Sequence, residues 1–145
     1  MIVGVKLINI KDNIDNRGFF REIFRPDKIR KKIFLKQISH SLIKKNTIKA
    51  WHVHKIQYQW NYILKGEIKM TLIDLRKNSK TFNKTFTLEI SEKNKIVYFF
   101  PPGVGHGYVT KKIENHMIYG TSGYYNINEE YKIKPSKEEI LNYFQ

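Results

Sequence analysis

The chain has 145 residues, and its 41% hydrophobic and 14% aromatic content is sufficient for one packed domain over residues 1–145 and too high for a disordered chain. It has no cysteine, which excludes a disulfide framework and a thiolate metal site. The formal net charge of +14 would attract polyanions, but the lysines are scattered in pairs as on an ordinary solvated surface, so the charge alone selects no partner.

Segments that would direct the chain to a membrane or to nucleic acid are not visible in the sequence. The amino terminus lacks the apolar stretch after a basic head that a signal peptide needs. The longest apolar run near the middle, residues 96–100, is far too short to span a membrane. No recognition helix or aromatic–basic RNA motif is present. We therefore expect a soluble, cytoplasmic protein with neither a membrane nor a nucleic-acid partner.

Apolar residues that alternate with period 2 predict a series of short β-strands. In chain order the predicted strands cover residues 3–7, 33–42, 47–54, 60–64, 67–75, 85–90, 96–100, 107–110 and 116–121. Turn signals separate them, among them residues 15–18, 65–66 and 101–103. Because no helical crossovers intervene, this order predicts an all-β sandwich or barrel. We expect residues 48–121 to build an antiparallel barrel around a polar pocket.

One helix start is clear near the carboxyl terminus. Ser136 is placed as N-cap and Glu139 follows three residues later, which is a capping box, and Ile140, Leu141 and Phe144 then give one apolar face. A weaker helical pattern covers residues 26–32. The sequence has neither common glycine-rich phosphate loop, which argues against a nucleotide hydrolase or a Rossmann dehydrogenase.

Two histidines in the predicted strand 47–54 mark the candidate site. His52 and His54 are two residues apart, so both side chains point to one face of the strand, while Trp51 and Val53 point to the other. Imidazoles on one face and large apolar groups on the opposite face predict a polar interior. The alternative is a pair of histidines exposed on the solvent side.

The segments 52–66 and 101–106 resemble the paired motifs of the cupin superfamily. The resemblance implies a double-stranded β-helix, a jelly-roll barrel whose inside is lined by both segments. In metal-binding cupins the residues at these places hold a divalent metal. The corresponding candidates here are His52, His54, Gln59 and His106, although a neutral Gln is a poorer ligand than the usual carboxylate.

A narrower resemblance covers most of the chain, and five segments carry it in order and spacing. They are Asp15-x-Arg17-Gly18-Phe19-Phe20, Gln37-x-Ser39-x-Ser41, Leu72-Ile73-Asp74-Leu75-Arg76-x-x-Ser79-x-Thr81-Phe82, Pro101-Pro102-Gly103-x-Gly105-His106-Gly107-Tyr108 and Tyr119-x-x-x-x-Tyr124-Tyr125. This series resembles the dTDP-4-dehydrorhamnose 3,5-epimerase family. The resemblance implies epimerisation of a nucleotide-linked 4-keto-6-deoxysugar at C3, C5 or both, in deoxysugar synthesis for a surface polysaccharide, by a homodimer without a cofactor.

The resemblance also implies roles for individual residues. His52 matches the base that removes a proton beside the keto group, and Tyr119 matches the acid on the opposite face of the sugar. The predicted substrate-binding residues are Arg17, Gln37, Lys49, His54, Gln59 and His106, with Lys49 in the place of an arginine. A neutral imidazole and a phenol suit these two proton transfers.

Three departures from the family pattern surround His52. Gln59 stands where the family has a lysine that holds the developing oxyanion. The loop that follows His52 is a few residues shorter. The aspartate that pairs with the catalytic histidine belongs to a carboxyl-terminal segment beyond Gln145, so we expect His52 to lack a carboxylate partner and to be less basic and less well oriented.

Two alternatives follow from the same residues. The stretch His52-x-His54-Lys55-x-x-x-Gln59 resembles the dTDP-4-keto-6-deoxyglucose 3,4-ketoisomerases, cupins in which two neighbouring histidines move protons between C3 and C4. Those enzymes lack the segment that is found here at residues 74–82. The other alternative is a non-catalytic or metal-binding cupin that keeps the barrel without the reaction.

Overall fold

In the computed structural model, which describes residues 1–29 and 34–145, most of the chain folds into antiparallel β-strands. The strands are β1 (Lys6–Asn9), β2 (Asp12–Asp15), β3 (Gly18–Arg21), β4 (Gln37–Lys44), β5 (Ile48–His54), β6 (Gln59–Lys65), β7 (Glu67–Asp74), β8 (Thr85–Ser91), β9 (Ile96–Phe100), β10 (Val104–Thr110), β11 (Glu114–Thr121) and β12 (Glu130–Lys132). The helices are α1 (Pro26–Ile29) and α2 (Lys137–Phe144). Within the described residues, no helix has the length and apolar character to cross a membrane.

Two five-stranded sheets form the barrel walls. The first has the order β1-β9-β6-β11-β4 and the second the order β12-β5-β10-β7-β8, while β2 and β3 form a separate hairpin. One core cluster joins the inner faces of both sheets, because it contains Ile63 and Phe100 of the first sheet and Met70 and Leu72 of the second. The predicted all-β jelly roll with a short carboxyl-terminal helix is confirmed.

Strand β6 shows how the barrel acquires a polar end. Ile63 faces the shared apolar core, and Gln59 and Asn61 on the same face of the strand line a cavity. Trp60 and Tyr62, on the other face, pack in a second apolar cluster outside the barrel. The inside of the barrel is therefore apolar at one end and polar at the other.

Helix α2 covers the outer face of the strand that carries the two histidines. Phe144 and Trp51 are 1% and 2% exposed and pack together with Val109. The predicted capping box is present, since the Glu139 amide donates to Ser136 Oγ at 3.1 Å and the Ser136 amide donates to Glu139 Oε2 at 2.7 Å. The indole Nε1–H of Trp51 also donates to Glu139 Oε1 at 3.2 Å. The helix thus holds β5 from outside.

Several predicted boundaries differ from the observed ones. The first strand begins at Lys6 and not at Val3, because Gly4 adopts a positive φ of 84° and the Val5 amide closes a turn onto the Ile2 carbonyl at 3.2 Å. Strand β12 was not predicted. Helix α1 begins at Pro26 as expected, but residues 30–33, with the rest of that predicted helix and the start of the predicted strand 33–42, lie outside the described residues.

We predict that Phe144→Ala lowers the free energy of unfolding by about 3–5 kcal/mol, because it removes the ring that anchors α2 on β5 and leaves a cavity. The control is Leu141→Ala on the same helix, whose side chain is 59% exposed and should change stability by less than about 0.5 kcal/mol. Urea denaturation followed by circular dichroism measures both variants. Equal losses would show that α2 is not anchored through Phe144.

Candidate active site

A cavity of about 240 Å³ lies at the polar end of the barrel, between the two sheets. Most of the residues that the sequence singled out for the site line this cavity: Gln37, Lys49, His52, His54, Gln59, His106 and Tyr119. They come from strands of both sheets, so the fold brings together residues that are far apart in the chain.

Arg17 is the predicted site residue that lies elsewhere. It occupies the turn of the β2–β3 hairpin, where its guanidinium donates to Asp15 at 2.6 Å and its side chain is 85% exposed. Phe19 and Phe20 of the same hairpin are also exposed. Within one chain, this hairpin contributes nothing to the cavity.

A bulge in β5 brings Lys49 to the same side as His52. The register against β10 runs from His52 opposite His106 to Lys49 opposite Tyr108, so three steps along β5 match two along β10. Strict alternation would have placed Lys49 with Trp51 on the outer face. At Gly107, where the extra residue is accommodated, a Cβ would lie only 2.5 Å from the Cβ of Ala50.

His52 has a carboxylate partner, contrary to the expectation from the sequence. Its Nδ1 lies 2.6 Å from Oε1 of Glu130, which belongs to β12 and reaches the site because β12 pairs with β5. When Nδ1–H donates to this carboxylate, the lone pair of Nε2 remains free to accept a proton. A glutamate from a strand that the sequence pattern did not reveal thus stands where the family pattern has an aspartate.

Burial and neighbouring charges together tune His52. Burial lowers the pKa of His52 below its usual 6.5, and the carboxylate of Glu130 opposes this shift. The ammonium groups of Lys49 and Lys132 lower the pKa further. The net direction is downward, so the imidazole is neutral at neutral pH, which is the form a proton-abstracting base requires.

His54 is engaged at both ring nitrogens. Its Nδ1 lies 2.7 Å from Glu129 Oε2, and its Nε2 lies 2.8 Å from Gln59 Oε1. Gln59 in turn donates through Nε2 to Asn61 Oδ1 at 2.7 Å. These bonds engage two members, His54 and Gln59, of the metal-ligand set that the cupin resemblance suggested together with His52 and His106, and that set stays a prediction. Among the described residues, no group of three or more His, Cys, Asp or Glu is arranged to hold a metal ion.

Glu129 is a buried carboxylate with a full set of partners. It is 6% exposed, and its Oε1 accepts from the amides of Ile56 and Gln57 at 2.9 Å each, while Oε2 faces His54. Burial alone would raise the pKa of Glu129, but these two amides and the His54 ring lower it overall. Glu129 is therefore ionised inside the protein.

His106 lies among aromatic rings. It stacks on His54 with ring centroids 5.5 Å apart and lies 4.6 Å from the ring of Phe100. Burial, with the neighbouring His54, His52 and Lys49, holds the pKa of His106 well below its usual value. Its Nδ1 has no hydrogen-bond partner among the described residues. His106 is therefore a neutral ring packed into the wall of the cavity.

Tyr119 faces the cavity from the first sheet, whereas His52 belongs to the second. On β11 it is in register with Asn61 of β6 on one side and with Ser39 of β4 on the other. Burial raises the pKa of the nearby Tyr108 to about 12, and Tyr119 adds to this effect. Tyr108 therefore remains protonated.

Gln37 connects the cavity wall to the segment that follows β11. Its Nε2 donates to Ser39 Oγ at 3.0 Å, and its Oε1 accepts from the amide of Tyr125 at 2.8 Å. The Tyr125 side chain is 73% exposed and contributes to the lining at the mouth of the cavity. Gln37 thus fixes one edge of the opening.

Sequence reasoning missed Asn61, Glu129 and Glu130. For Asn61 a signal existed, because it is two residues after Gln59 on a strand and must share its face. For the two glutamates no periodic signal existed, because they lie at the end of an irregular segment and in a strand of three residues.

Comparison with known proteins identifies the family. The family model described as dTDP-4-dehydrorhamnose 3,5-epimerase matches residues 1–142. The chain belongs to this family. The family's enzymes are isomerases, and its members epimerise dTDP-4-keto-6-deoxysugars.

Individual relatives agree with this assignment. The spore coat polysaccharide biosynthesis protein SpsL of Bacillus subtilis is 34% identical over 145 residues, which cover 99% of this chain and 95% of SpsL. The dTDP-4-dehydrorhamnose 3,5-epimerase of Salmonella typhimurium is 29% identical over 133 residues, 87% of this chain and 73% of that enzyme. The Legionella pneumophila dTDP-6-deoxy-D-glucose-3,5-epimerase, solved in complex with dTDP-4-keto-L-rhamnose, superposes with a TM-score of 0.84 at 26% identity, covering 91% of this chain and 73% of that one.

We predict that the His52 ring titrates below pH 6.5 in the wild type, and that Glu130→Gln lowers the pKa further. The reason is that burial disfavours the charged ring, whereas the carboxylate favours it. Histidine-ring NMR over a pH series measures both. Glu138→Gln, an exposed residue of α2, removes the same charge and should leave the titration unchanged. An increase of the His52 pKa in Glu130→Gln would contradict the pairing.

Proposed function

We propose that this chain epimerises a dTDP-linked 4-keto-6-deoxysugar at C3, C5 or both, with His52 as base and Tyr119 as acid. The observation that carries the proposal is the placement of the His52–Glu130 pair on one sheet and of Tyr119 on the other, around one cavity. Names of relatives in the family and in spore coat polysaccharide synthesis support it.

Proton abstraction is the step assigned to His52. The C–H bonds that flank the C4 carbonyl are acidic because the electron pair left on carbon moves onto O4 and forms an enolate. The free Nε2 of a neutral His52 accepts the proton, and Nδ1–H remains on the carboxylate of Glu130, which stabilises the imidazolium that results. Positioned proton transfer of this kind contributes on the order of 10²–10⁴-fold to the rate.

Proton return from the other side produces inversion. The Tyr119 phenol donates to the enolate carbon and O4 regains its carbonyl bond. Solvent at the open mouth of the cavity then returns a proton to the phenolate and takes up the proton held by His52. Because the base and the acid stand on opposite walls, the new C–H bond forms on the face opposite to the one that was broken. Return of the proton by His52 itself would give exchange without inversion.

The size and charge of the cavity indicate how the substrate lies. A volume of about 240 Å³ is below the roughly 300–1,000 Å³ of pockets that enclose drug-sized ligands, so the sugar ring fits inside and the nucleotide extends through the mouth. Lys49 and Lys132 place two ammonium groups on the cavity wall, where they suit the diphosphate. Tyr125 at the mouth lies where the nucleotide would leave the cavity.

The hydrogen bonds of His54 favour epimerisation over 3,4-ketoisomerisation. A ketoisomerase of this type needs His54 as a second proton carrier beside His52. Here both ring nitrogens of His54 are occupied, by Glu129 and by Gln59. We therefore assign the two proton transfers to His52 and Tyr119.

We also propose that the chain is a homodimer in which the β2–β3 hairpin rests on the second copy. The hairpin exposes Ile14, Phe19 and Phe20, which are 76%, 62% and 65% accessible. Apolar side chains grouped in this way on a protruding hairpin suit an interface. In such a dimer the Arg17 side chain would extend away from its own barrel and could reach the cavity of the partner subunit.

We predict that incubation with dTDP-4-keto-6-deoxyglucose in heavy water places deuterium at C5, C3 or both. NMR of the sugar measures the deuterium at each carbon. His52→Ala should abolish the exchange, and Tyr119→Phe should spare the first exchange while it impairs inversion. His40→Ala is the control, because His40 is exposed on β4. A fully active His52→Ala variant would refute the assigned base, unchanged inversion in Tyr119→Phe would place the acid elsewhere, and a 3-keto product would indicate the isomerase.

We predict that Phe20→Asp converts a dimer into a monomer in analytical ultracentrifugation, because it buries a charge in the proposed interface. Ile113→Asp provides the control, since Ile113 is 83% exposed in the turn between β10 and β11. Arg17→Ala should keep the dimer and raise KM. A wild type that sediments as a monomer would overturn the dimer and leave the epimerase proposal to the exchange experiment.

A further inference from the structure

A chain of hydrogen bonds crosses the barrel interior and ends at an amide nitrogen that has no hydrogen-bond partner in the part of the chain that the structure describes. It runs from Glu129 to His54 at 2.7 Å, from His54 to Gln59 at 2.8 Å and from Gln59 to Asn61 at 2.7 Å. Asn61 is 1% exposed and lines the cavity, and its Nδ2 has no hydrogen-bond partner among the described residues. A buried N–H₂ without a partner destabilises the folded protein, so its retention calls for an explanation.

Glu129 sets the direction of this chain. Its ionised carboxylate lies 2.7 Å from Nδ1 of His54, and the carbonyl oxygen of Gln59 lies 2.8 Å from Nε2 of the same ring. Gln59 then has only its N–H₂ to offer Asn61, and Asn61 accepts with Oδ1. Both N–H bonds of Asn61 remain free.

The free amide stands beside the proposed acid. Asn61 is directly opposite Tyr119 in the register of β6 against β11, and both side chains line the cavity. Directly opposed residues in an antiparallel pair have Cβ atoms about 4.5–5.5 Å apart. A sugar that offers C3 or C5 to Tyr119 carries O4 on the adjacent ring carbon, so O4 would lie on the same side of the site as the residue next to Tyr119.

We propose that Asn61 is a catalytic residue that donates an N–H to O4 as the enolate forms, and that Glu129, His54 and Gln59 are positioning residues for it. The inference rests on the epimerase function proposed above. As His52 removes the proton, the electron pair of the C–H bond moves onto O4, and a fixed neutral donor stabilises the oxyanion without transferring a proton. Because the chain of bonds fixes the amide beforehand, no reorganisation is needed when the charge develops.

The experiment compares two substitutions at Asn61 in the full-length protein. Asn61→Val removes the donor, and Asn61→Asp keeps the shape of the side chain but presents an acceptor and a negative charge to the oxyanion. We expect kcat for deuterium exchange to fall on the order of 10²–10³-fold in both, as for loss of one oxyanion donor. We expect KM and the affinity for dTDP, which has no C4 oxyanion, to stay within about threefold.

Asn78→Asp is the matched control, since it makes the same change at an exposed position of the segment between β7 and β8 and should keep the wild-type kcat. A kcat within about threefold of wild type in Asn61→Asp would overturn the inference. Loss of dTDP affinity as large as the loss of kcat would also overturn it, because it would indicate a structural or ground-state role. If the wild type exchanges deuterium and the Asn61 variants keep its kcat, this inference alone is overturned. If the wild type exchanges deuterium at neither C3 nor C5, the epimerase proposal is overturned with it.

Discussion

The site depends on the pairing of β12 with β5. This short edge strand brings two consecutive carboxylates, Glu129 and Glu130, to two imidazoles that are themselves two residues apart on β5. Each imidazole receives one carboxylate. Two consecutive glutamates can both face β5 because Glu129 precedes the strand and its carboxylate is held by the amides of Ile56 and Gln57. Without this pairing, Nδ1 of each histidine would lose its carboxylate partner.

The rest of the fold makes this pairing geometrically possible. Trp51 and Phe144 hold the outer face of β5 against α2, so the inner face of β5 is fixed relative to the opposite sheet. The barrel is filled with apolar side chains around Ile63 and Met70 at one end, which leaves the cavity at the other. Rigid packing at one end and open polar groups at the other is the usual way in which a β-barrel combines stability with a binding site.

Much of this arrangement could be predicted from the sequence, and what could not has a physical reason. Period-2 alternation located β5 to β9 and β11 to within a few residues, and the capping box at Ser136 located α2, because both signals are local. The face shared by His52 and His54 followed from the same period. Lys49 could be placed in the site only through the family resemblance, because the bulge in β5 breaks the alternation. The carboxylate of Glu130 could not be found, since it is delivered by a pairing between segments 78 residues apart.

The two histidines of one motif are thereby given different tasks by their partners. His52 binds one carboxylate through Nδ1–H, which leaves the lone pair of Nε2 for the sugar. His54 faces acceptors at both nitrogens because Gln59 directs its carbonyl oxygen at the ring. A lysine at position 59 could not accept from His54, and the chain of bonds to Asn61 would end there. Gln59 therefore has a role of its own in place of the family's lysine. It engages the buried His54 ring, which then supports the neutral amide of Asn61 and does not act as a base.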